Sequence, residues 1–417
     1  MKNKLSQCTK KIGPGFITGA SDDDPSGIAT YTQVGAQFGF GQLWMAFLVL
    51  PFMISIQEMV ARIGMVAGQG VTAVIKKHYP RWLVFVFVAL LLIANTINIG
   101  ADIGAIADAV HLLVPQFSFA FLAIAFALII LILEITVSYR AYAKILKWLA
   151  LSLFSYAFTL IIVTHNWPEL LTHAFIPQIK LNREFLIGLT AVLGTTISPY
   201  LFIWQSSEEV EEEICLGRTS VKKRRGATKK EIKNMRWDTI IGMAFSNLIM
   251  FCIIATAANV FFQNGIFDIG STAEAAEALK PLAGRFAALV FCLGIVGTGL
   301  LAIPILSASA SYAIAEVFDW PEGLYKKFRQ AHGFYGVIIF STLVGLTINF
   351  IGINPIKALF GAAVLNGIIT PLLLLFIIKI ANDKSVMGKY KNGRLANVMT
   401  IATFLLTAIS AALIFIL

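Results

Sequence analysis

The sequence predicts an all-α polytopic membrane protein, arranged as two inverted repeats of five helices plus an eleventh helix, with the first and sixth helices broken midway. Three observations carry this. Of the 417 residues, 58% are hydrophobic and only 13% charged, about half the charged share of an ordinary soluble domain. Eleven apolar stretches follow one another, each about long enough to cross a hydrocarbon core roughly 30 Å thick. Polar residues beside a proline interrupt the first and the sixth of them.

The stretches lie at about 12–37, 42–67, 83–113, 118–137, 143–164, 183–212, 236–262, 281–318, 333–349, 354–379 and 395–417. The longest hydrophilic run, about 215–237, is too short to bury a core of its own. Residues 1–417 therefore read as a single transmembrane domain, with repeats at about 12–164 and 183–379 and the extra helix at about 395–417. The basic start, with four lysines in residues 1–11, is the only feature shared with a signal peptide, because acidic residues interrupt the apolar run behind it.

The net charge of +10 reflects orientation rather than nucleic-acid binding. If the N-terminus is cytoplasmic, the segments on that side hold 27 of the 33 Lys and Arg. Arg62, Lys180, Arg183, Lys280, Arg285 and Lys357 fall within spans or on the other side. The positive-inside rule then predicts an N-terminus inside and a C-terminus outside, in a bacterial-type plasma (inner) membrane. The basic cluster from Arg218 to Arg236 serves as a topology signal, and membrane lipids are the expected surroundings. Cys8, Cys215, Cys252 and Cys292 show no paired spacing, so neither a disulfide framework nor a zinc site is implied.

Asp22, Asp23 and Asp24 sit inside the first stretch and run into Pro25, Ser26 and Gly27. An acidic residue at bilayer depth costs roughly 2.5–3.5 kcal/mol on insertion scales, so three together need a compensating role. Pro25 removes a backbone donor and Gly27 permits strained angles, which predicts a helix that stops and restarts. Carbonyls freed around Ser21–Ser26, next to a carboxylate, are the ligands a hard divalent cation takes. Asp24, immediately before the proline, is the predicted charged ligand. Asp22 and Asp23 are about 100° apart on a helix and point elsewhere, towards an entrance. The alternative for all three is to cap the second half-helix.

In the sixth stretch Thr195, Thr196 and Ser198 precede Pro199 and Tyr200. These hydroxyls either join a ligand shell, with the Thr195 carbonyl, or bond back to their own helix. No Met, Cys or His stands among them, and all-oxygen ligation suits Mg²⁺, Ca²⁺ or Mn²⁺. Five stretches separate the starts of the two broken helices, and five is odd, so two five-helix halves lie in opposite orientations. Paired interrupted segments in inverted halves point to a secondary transporter's binding site.

Beyond that break, five glutamates fill six positions from Glu208 to Glu213 and read as a solvated helix end, with Glu208 and Glu209 candidates for an inner vestibule. Asn95, Asn98 and Asp102 recur at intervals of three and four on one helix face. Asn366, before Gly367, is an amide ligand or an interhelical hydrogen bond. His78, His111, His165, His173 and His332 all fall near predicted ends. No metalloprotease motif, Walker loop or nucleophile elbow is present, so an enzyme is not expected.

Gly13-Pro14-Gly15-Phe16-Ile17 followed by Asp24-Pro25 resembles the opening of the NRAMP family of divalent metal transporters, and the eleven-stretch plan is similar to that family's leucine-transporter-type fold. Against the family's Asp-Pro-Gly-Asn, this chain reads Asp24-Pro25-Ser26-Gly27, placing Gly27 at the amide position. The family's sixth-helix Met and His are Ser198 and Tyr200 here, and a further His is Gln205. Asp102 matches a third-helix Asp, while the following Glu position holds Ala105, and no Arg lies between Phe334 and Asn349. The pattern resembles the NRAMP-related magnesium-transporter branch. The resemblance implies import of Mg²⁺, and of Mn²⁺ with it, by alternating access without proton coupling. It implies ligands from Asp24, Ser21, Thr195, Ser198 and Asn366. The alternatives are a proton-coupled Mn²⁺/Fe²⁺ importer, an amino-acid carrier of the same fold, and a membrane-embedded enzyme or receptor. No cofactor beyond the transported ion and no obligate protein partner are expected.

Overall fold

The computed structural model describes residues 13–137, 153–180 and 182–416. The basic segments 1–11 and 138–147, Cys8 and the first half of the fifth stretch lie outside them. All regular elements are helical among the described residues. They run α1 (Pro14–Asp22), α2 (Pro25–Phe38), α3 (Met45–Ala67), α4 (Val71–His78), α5 (Arg81–Leu113), α6 (Phe119–Thr136), α7 (Phe154–Val163) and α8 (Trp167–Phe175). They continue as α9 (Arg183–Thr196), α10 (Pro199–Cys215), α11 (Lys229–Val260), α12 (Ala287–Phe318), α13 (His332–Ile348), α14 (Pro355–Asn382) and α15 (Arg394–Ile416), with shorter turns between.

Both predicted breaks are present. The first stretch splits into α1 and α2 around Asp23 and Asp24, and the sixth into α9 and α10 around Ile197 and Ser198. Eight spans are long and apolar enough to cross a membrane, α9 and α10 together counting as one. The split first stretch and the shorter apolar helices α7 and α13 account for the rest. Boundaries moved where capping chemistry outweighed hydropathy. α11 starts at Lys229 rather than near 236, because Thr228 and Glu231 form a capping box that satisfies its first amides.

The two ends of the bundle are separated as the charge pattern predicts. At one end Arg224 donates to the Gly68 carbonyl at 3.0 Å, Lys76 pairs with Asp319 at 2.5 Å and Tyr390 donates to the Ala227 carbonyl at 2.8 Å. These bonds gather the segments 68–82, 213–236, 319–332 and 379–394. Arg62 lies within a span, as expected, in the part of α3 nearest this end: it donates to the Tyr390 carbonyl at 2.8 Å and to Asn392 at 2.6 Å, and pairs with Glu58 at 3.2 Å. At the other end Gln33 donates to the Phe267 carbonyl and Asn354 to the Gly270 carbonyl.

Packing is reciprocal between the halves. α11 closes on α1, where a Cβ on Gly19 would lie 2.2 Å from the Gly242 carbonyl oxygen. α3 closes on α10, where a Cβ on Gly64 would lie 2.3 Å from the Ser206 carbonyl oxygen. Lipid tails supply no hydrophobic drive between helices, so such backbone-to-backbone contact is what holds them. The second helix of each half thus braces the broken helix of the other. Large apolar side chains such as Phe121, Leu128 and Ile132 on α6 and Leu405 and Ile409 on α15 stay exposed, as a lipid-facing rim requires.

Candidate cation site at the two broken helices

Pro25 and Pro199 each occupy the first turn of a restarting half-helix, where a missing N–H costs nothing. The residue before each is extended: Asp24 at φ −68°, ψ 174° and Ser198 at φ −79°, ψ 135°. That geometry frees backbone groups on both sides of each break.

At the first break Asp24 is the N-cap. Its Oδ1 accepts from the Gly27 amide at 2.6 Å, and its Oδ2 accepts from the Asn98 side chain at 3.2 Å. Capping and ligation are therefore not alternatives, since a carboxylate has about four acceptor positions. Asn98 was legible only as part of a polar face on α5; the face is real but divided. Asn95 turns away to the Leu306 carbonyl and Ser309 on α12, whereas Asn98 holds Asp24. Asp102, a turn further along, is fully buried, and neither of its carboxylate oxygens has a hydrogen-bond partner among the described residues.

The expectation that Asp22 and Asp23 face an entrance is corrected. Both are fully buried. Asp22 accepts from the Ser246 hydroxyl on α11 at 2.5 Å, so it is turned into the α1–α11 contact. Asp23 is the C-cap residue of α1 at φ −84°, ψ 53°, and neither of its carboxylate oxygens has a hydrogen-bond partner among the described residues.

At the second break the hydroxyls serve the backbone. Ser198 Oγ lies 2.6 Å from the Gly194 carbonyl and 2.8 Å from the Thr195 carbonyl, while Thr196 bonds back to the Val192 carbonyl. Thr370 on α14 donates to the Ile197 carbonyl at 2.8 Å. Ser198 keeps lone pairs for a cation, because a donating hydroxyl still accepts. Asn366, also on α14, is buried with its Oδ1 lacking a hydrogen-bond partner among the described residues.

The two breaks are tied together. Tyr200 donates to the Ser21 carbonyl at 3.4 Å across them. Below it, Thr18 donates to Gln205 Oε1 at 2.6 Å, and Gln205 donates to Glu209 at 3.0 Å, joining α1 to α10. Glu208 and Glu209 are 8% and 6% exposed, and Glu211 and Glu213 are buried with them. The solvated-end reading of this run is therefore overturned, because α10 continues inside the bundle between α3 and α12. Sequence reasoning also missed Asp238. Its carboxylate accepts from the Gly13, Gly15 and Phe16 amides at 2.9, 2.7 and 3.3 Å and anchors the start of α1. A lone acid at the edge of the seventh apolar stretch was the available signal.

No group of three or more His, Cys, Asp or Glu side chains converges on a metal position among the described residues. The donors at the breaks are all oxygens, carboxylates at the first and hydroxyl, amide and carbonyl groups at the second, which fits a hard cation and offers nothing to a soft one.

Two broken helices crossing at facing breaks define a membrane transporter of the leucine-transporter fold class. Solved structures with this fold include a manganese transporter of Eremococcus coleocola in complex with an aromatic bis-isothiourea substituted compound, at TM-score 0.75 and 15% identity over 98% of this chain and 86% of that one. They also include MhsT in complex with L-phenylalanine, at TM-score 0.62 and 13% identity over 98% of both chains. The chain belongs to the natural resistance-associated macrophage protein-like family (NRAMP), whose model matches residues 15–417. A divalent metal cation transporter, MntH, of Caldanaerobacter subterraneus subsp. tengcongensis is 25% identical over 95% of this chain and 90% of its own length. The MntH of Klebsiella pneumoniae is 26% identical over 94% and 92%. The family is one of membrane transporters, and the enzyme reading falls away.

Proposed function

We propose that this protein imports a divalent metal cation, Mg²⁺ and with it Mn²⁺, across the plasma membrane by alternating access, without moving a proton. The observation that carries the reading is the donor set. Asp24 is the carboxylate bonded to both the restarting half-helix and Asn98, and the groups we place beside it are neutral oxygens: the Ser21 and Thr195 carbonyls, the Ser198 hydroxyl and the Asn366 amide. Mg²⁺ dehydrates reluctantly and binds through one or two carboxylates while keeping waters, so such a site suits it. The relatives named MntH support a divalent cation as substrate. Ser198 in place of a thioether supports the harder ion. The basic end, taken as cytoplasmic, puts the N-terminus inside and the C-terminus outside.

A second reading, a proton-coupled Mn²⁺/Fe²⁺ importer, has one observation in its favour: Asp102 is a buried carboxylate with no hydrogen-bond partner among the described residues, as a proton carrier would be. Uptake into proteoliposomes, with entrapped dyes for Mg²⁺, Mn²⁺ and pH, separates the two. The expected result is Mg²⁺ entry without acidification, abolished in Asp24→Ala. Exclusion of Mg²⁺ with Mn²⁺ entry and acidification, lost in Asp102→Asn, establishes the second reading instead.

A further inference from the structure

The transport site does not use a second carboxylate-lined cavity at the basic end of the bundle. It has a volume of about 200 Å³ and is lined by Ser207 and Glu211 of α10, Glu316 of α12, Glu322 just beyond α12, and by Arg224 and Lys326. Ser207 and Glu211 are 9 and 13 residues past Ser198, roughly 14 and 20 Å along a helix from the break at 1.5 Å per residue.

Two of the three glutamates are built in. Glu211 accepts from the Tyr312 hydroxyl at 2.7 Å and from the Leu324 amide at 2.8 Å. Glu316 accepts from the Ala73 amide at 2.9 Å, at the start of α4. The two basic groups also have other partners. Arg224 donates to the Gly68, Arg218 and Thr219 carbonyls, and the Lys326 ammonium lies 5.4 Å from the centre of the Tyr325 ring. Three carboxyl groups and two cationic groups thus share the wall.

Two groups on the wall are unsatisfied among the described residues. Ser207 is 3% exposed and its Oγ has no hydrogen-bond partner, and neither has Oε2 of Glu322. A buried hydroxyl usually finds a partner, so an orphan beside a polar cavity marks a place for a ligand or its waters. Burial, and next the Glu316 carboxylate, push the pKa of Glu322 up to about 9 against the opposing pull of Lys326 and Arg224.

The carboxylates do not converge on one point, so a stripped metal ion is not what fits. A hydrated ion is: the cavity has room for several waters, and a water shell can hydrogen-bond to carboxylates that stand apart from one another. We propose that this cavity is a second cation site, taking a divalent cation with its water shell intact on the way between the broken helices and the basic end. It would bind through hydrogen bonds from the ion's waters to Glu211, Glu316, Glu322 and Ser207. This rests on the divalent-cation reading above.

The test counts Mn²⁺ bound to the full-length protein in detergent by electron paramagnetic resonance, with water-proton relaxation reporting retained waters. In Asp24→Ala one Mn²⁺ per chain is expected to remain, nearly fully hydrated, and to be displaced by hexaamminecobalt(III), a hydrated-ion mimic that cannot shed its ligands. Adding Glu322→Gln should raise its Kd at least tenfold; if that variant elutes aggregated, Ser207→Ala in the same background is expected to weaken binding severalfold. No Mn²⁺ on Asp24→Ala, or a remaining Mn²⁺ indifferent to hexaamminecobalt(III) or to these substitutions, overturns the second site. Equal Mn²⁺ counts for wild type and Asp24→Ala would instead overturn the site at the breaks and leave this one standing.

Discussion

Three adjacent aspartates show how a residue's role is set at a helix break. Asp22 bonds Ser246, Asp24 bonds Gly27 and Asn98, and Asp23 sits between them on a non-helical turn. In the proposed site Asn98 orients Asp24 through its hydrogen bond and carries no charge of its own. Loss of a partner that orients a metal ligand typically costs about 10–100-fold in affinity. Asn98→Ala is expected to raise the KM for Mg²⁺ uptake by that factor while leaving the chain folded, and an unchanged KM would remove Asn98 from the site. Ser198→Met replaces a hard oxygen by a soft thioether at a position whose hydroxyl also serves two carbonyls. Competition assays with Cd²⁺ should show its preference over Mg²⁺ rising about tenfold or more. The carboxylate beside Pro25 and the hydroxyls before Pro199 were legible because proline and charge in an apolar stretch are local signals. Asn98's partner was not, because it lies 74 positions away in sequence.

At the scale of helices, the broken segments depend on close backbone contact. Gly15, Gly19 and Gly242 let α1 and α11 touch along their length, and a Cβ on Gly242 would itself lie 2.3 Å from the Gly15 carbonyl oxygen. Overpacking of this kind costs about 1–3 kcal/mol or more. Gly19→Leu should therefore lower Tm in detergent and abolish uptake, since it displaces the half-helix that carries Asp22 and leads into Asp24. If the variant kept wild-type Tm and transport, α1 would not be held where the structure places it. The run from Glu208 to Glu213 belongs to this scale as well. Its composition reads as a helix end in water, yet α3 and α12 cover it. A solvated face and a polar wall of an interior passage have the same composition, so only the neighbours tell them apart.

For the whole molecule, the separation of the two ends couples charge to stability. Glu322 lies at the basic end with its pKa pushed up to about 9 by burial and then by Glu316. Its folded pKa is above its unfolded one, so between about pH 4.5 and 9 the folded state holds the extra proton, and stability falls as pH rises through that window. Glu322→Gln should flatten this decline and raise Tm at pH 8, measured against pH 5 in the same detergent. Saturating Mg²⁺ should oppose the decline in the wild type: a ligand at 100 times its Kd adds about 2.7 kcal/mol. A wild-type Tm independent of pH from 5 to 9 would count against the buried, proton-holding carboxylate.

The sequence by itself determined the membrane setting, the order of the apolar stretches, the two breaks, the acid at the first break and the charge asymmetry of the loops. Each follows from short-range physics: hydropathy over about 20 residues, proline's missing N–H, and the cost of charge in hydrocarbon. Only the tertiary structure decided what each of the three aspartates meets, which residues Arg62 meets at the basic end, that the glutamates of α10 are interior, and that a second polar cavity lies beyond them. Those outcomes depend on Ser246, Asn392, Tyr312 and Glu316, residues from other helices brought alongside by glycine-lined contacts. A side chain's direction at a break, and the partner it meets there, are settled by what packs against it rather than by its place in the chain.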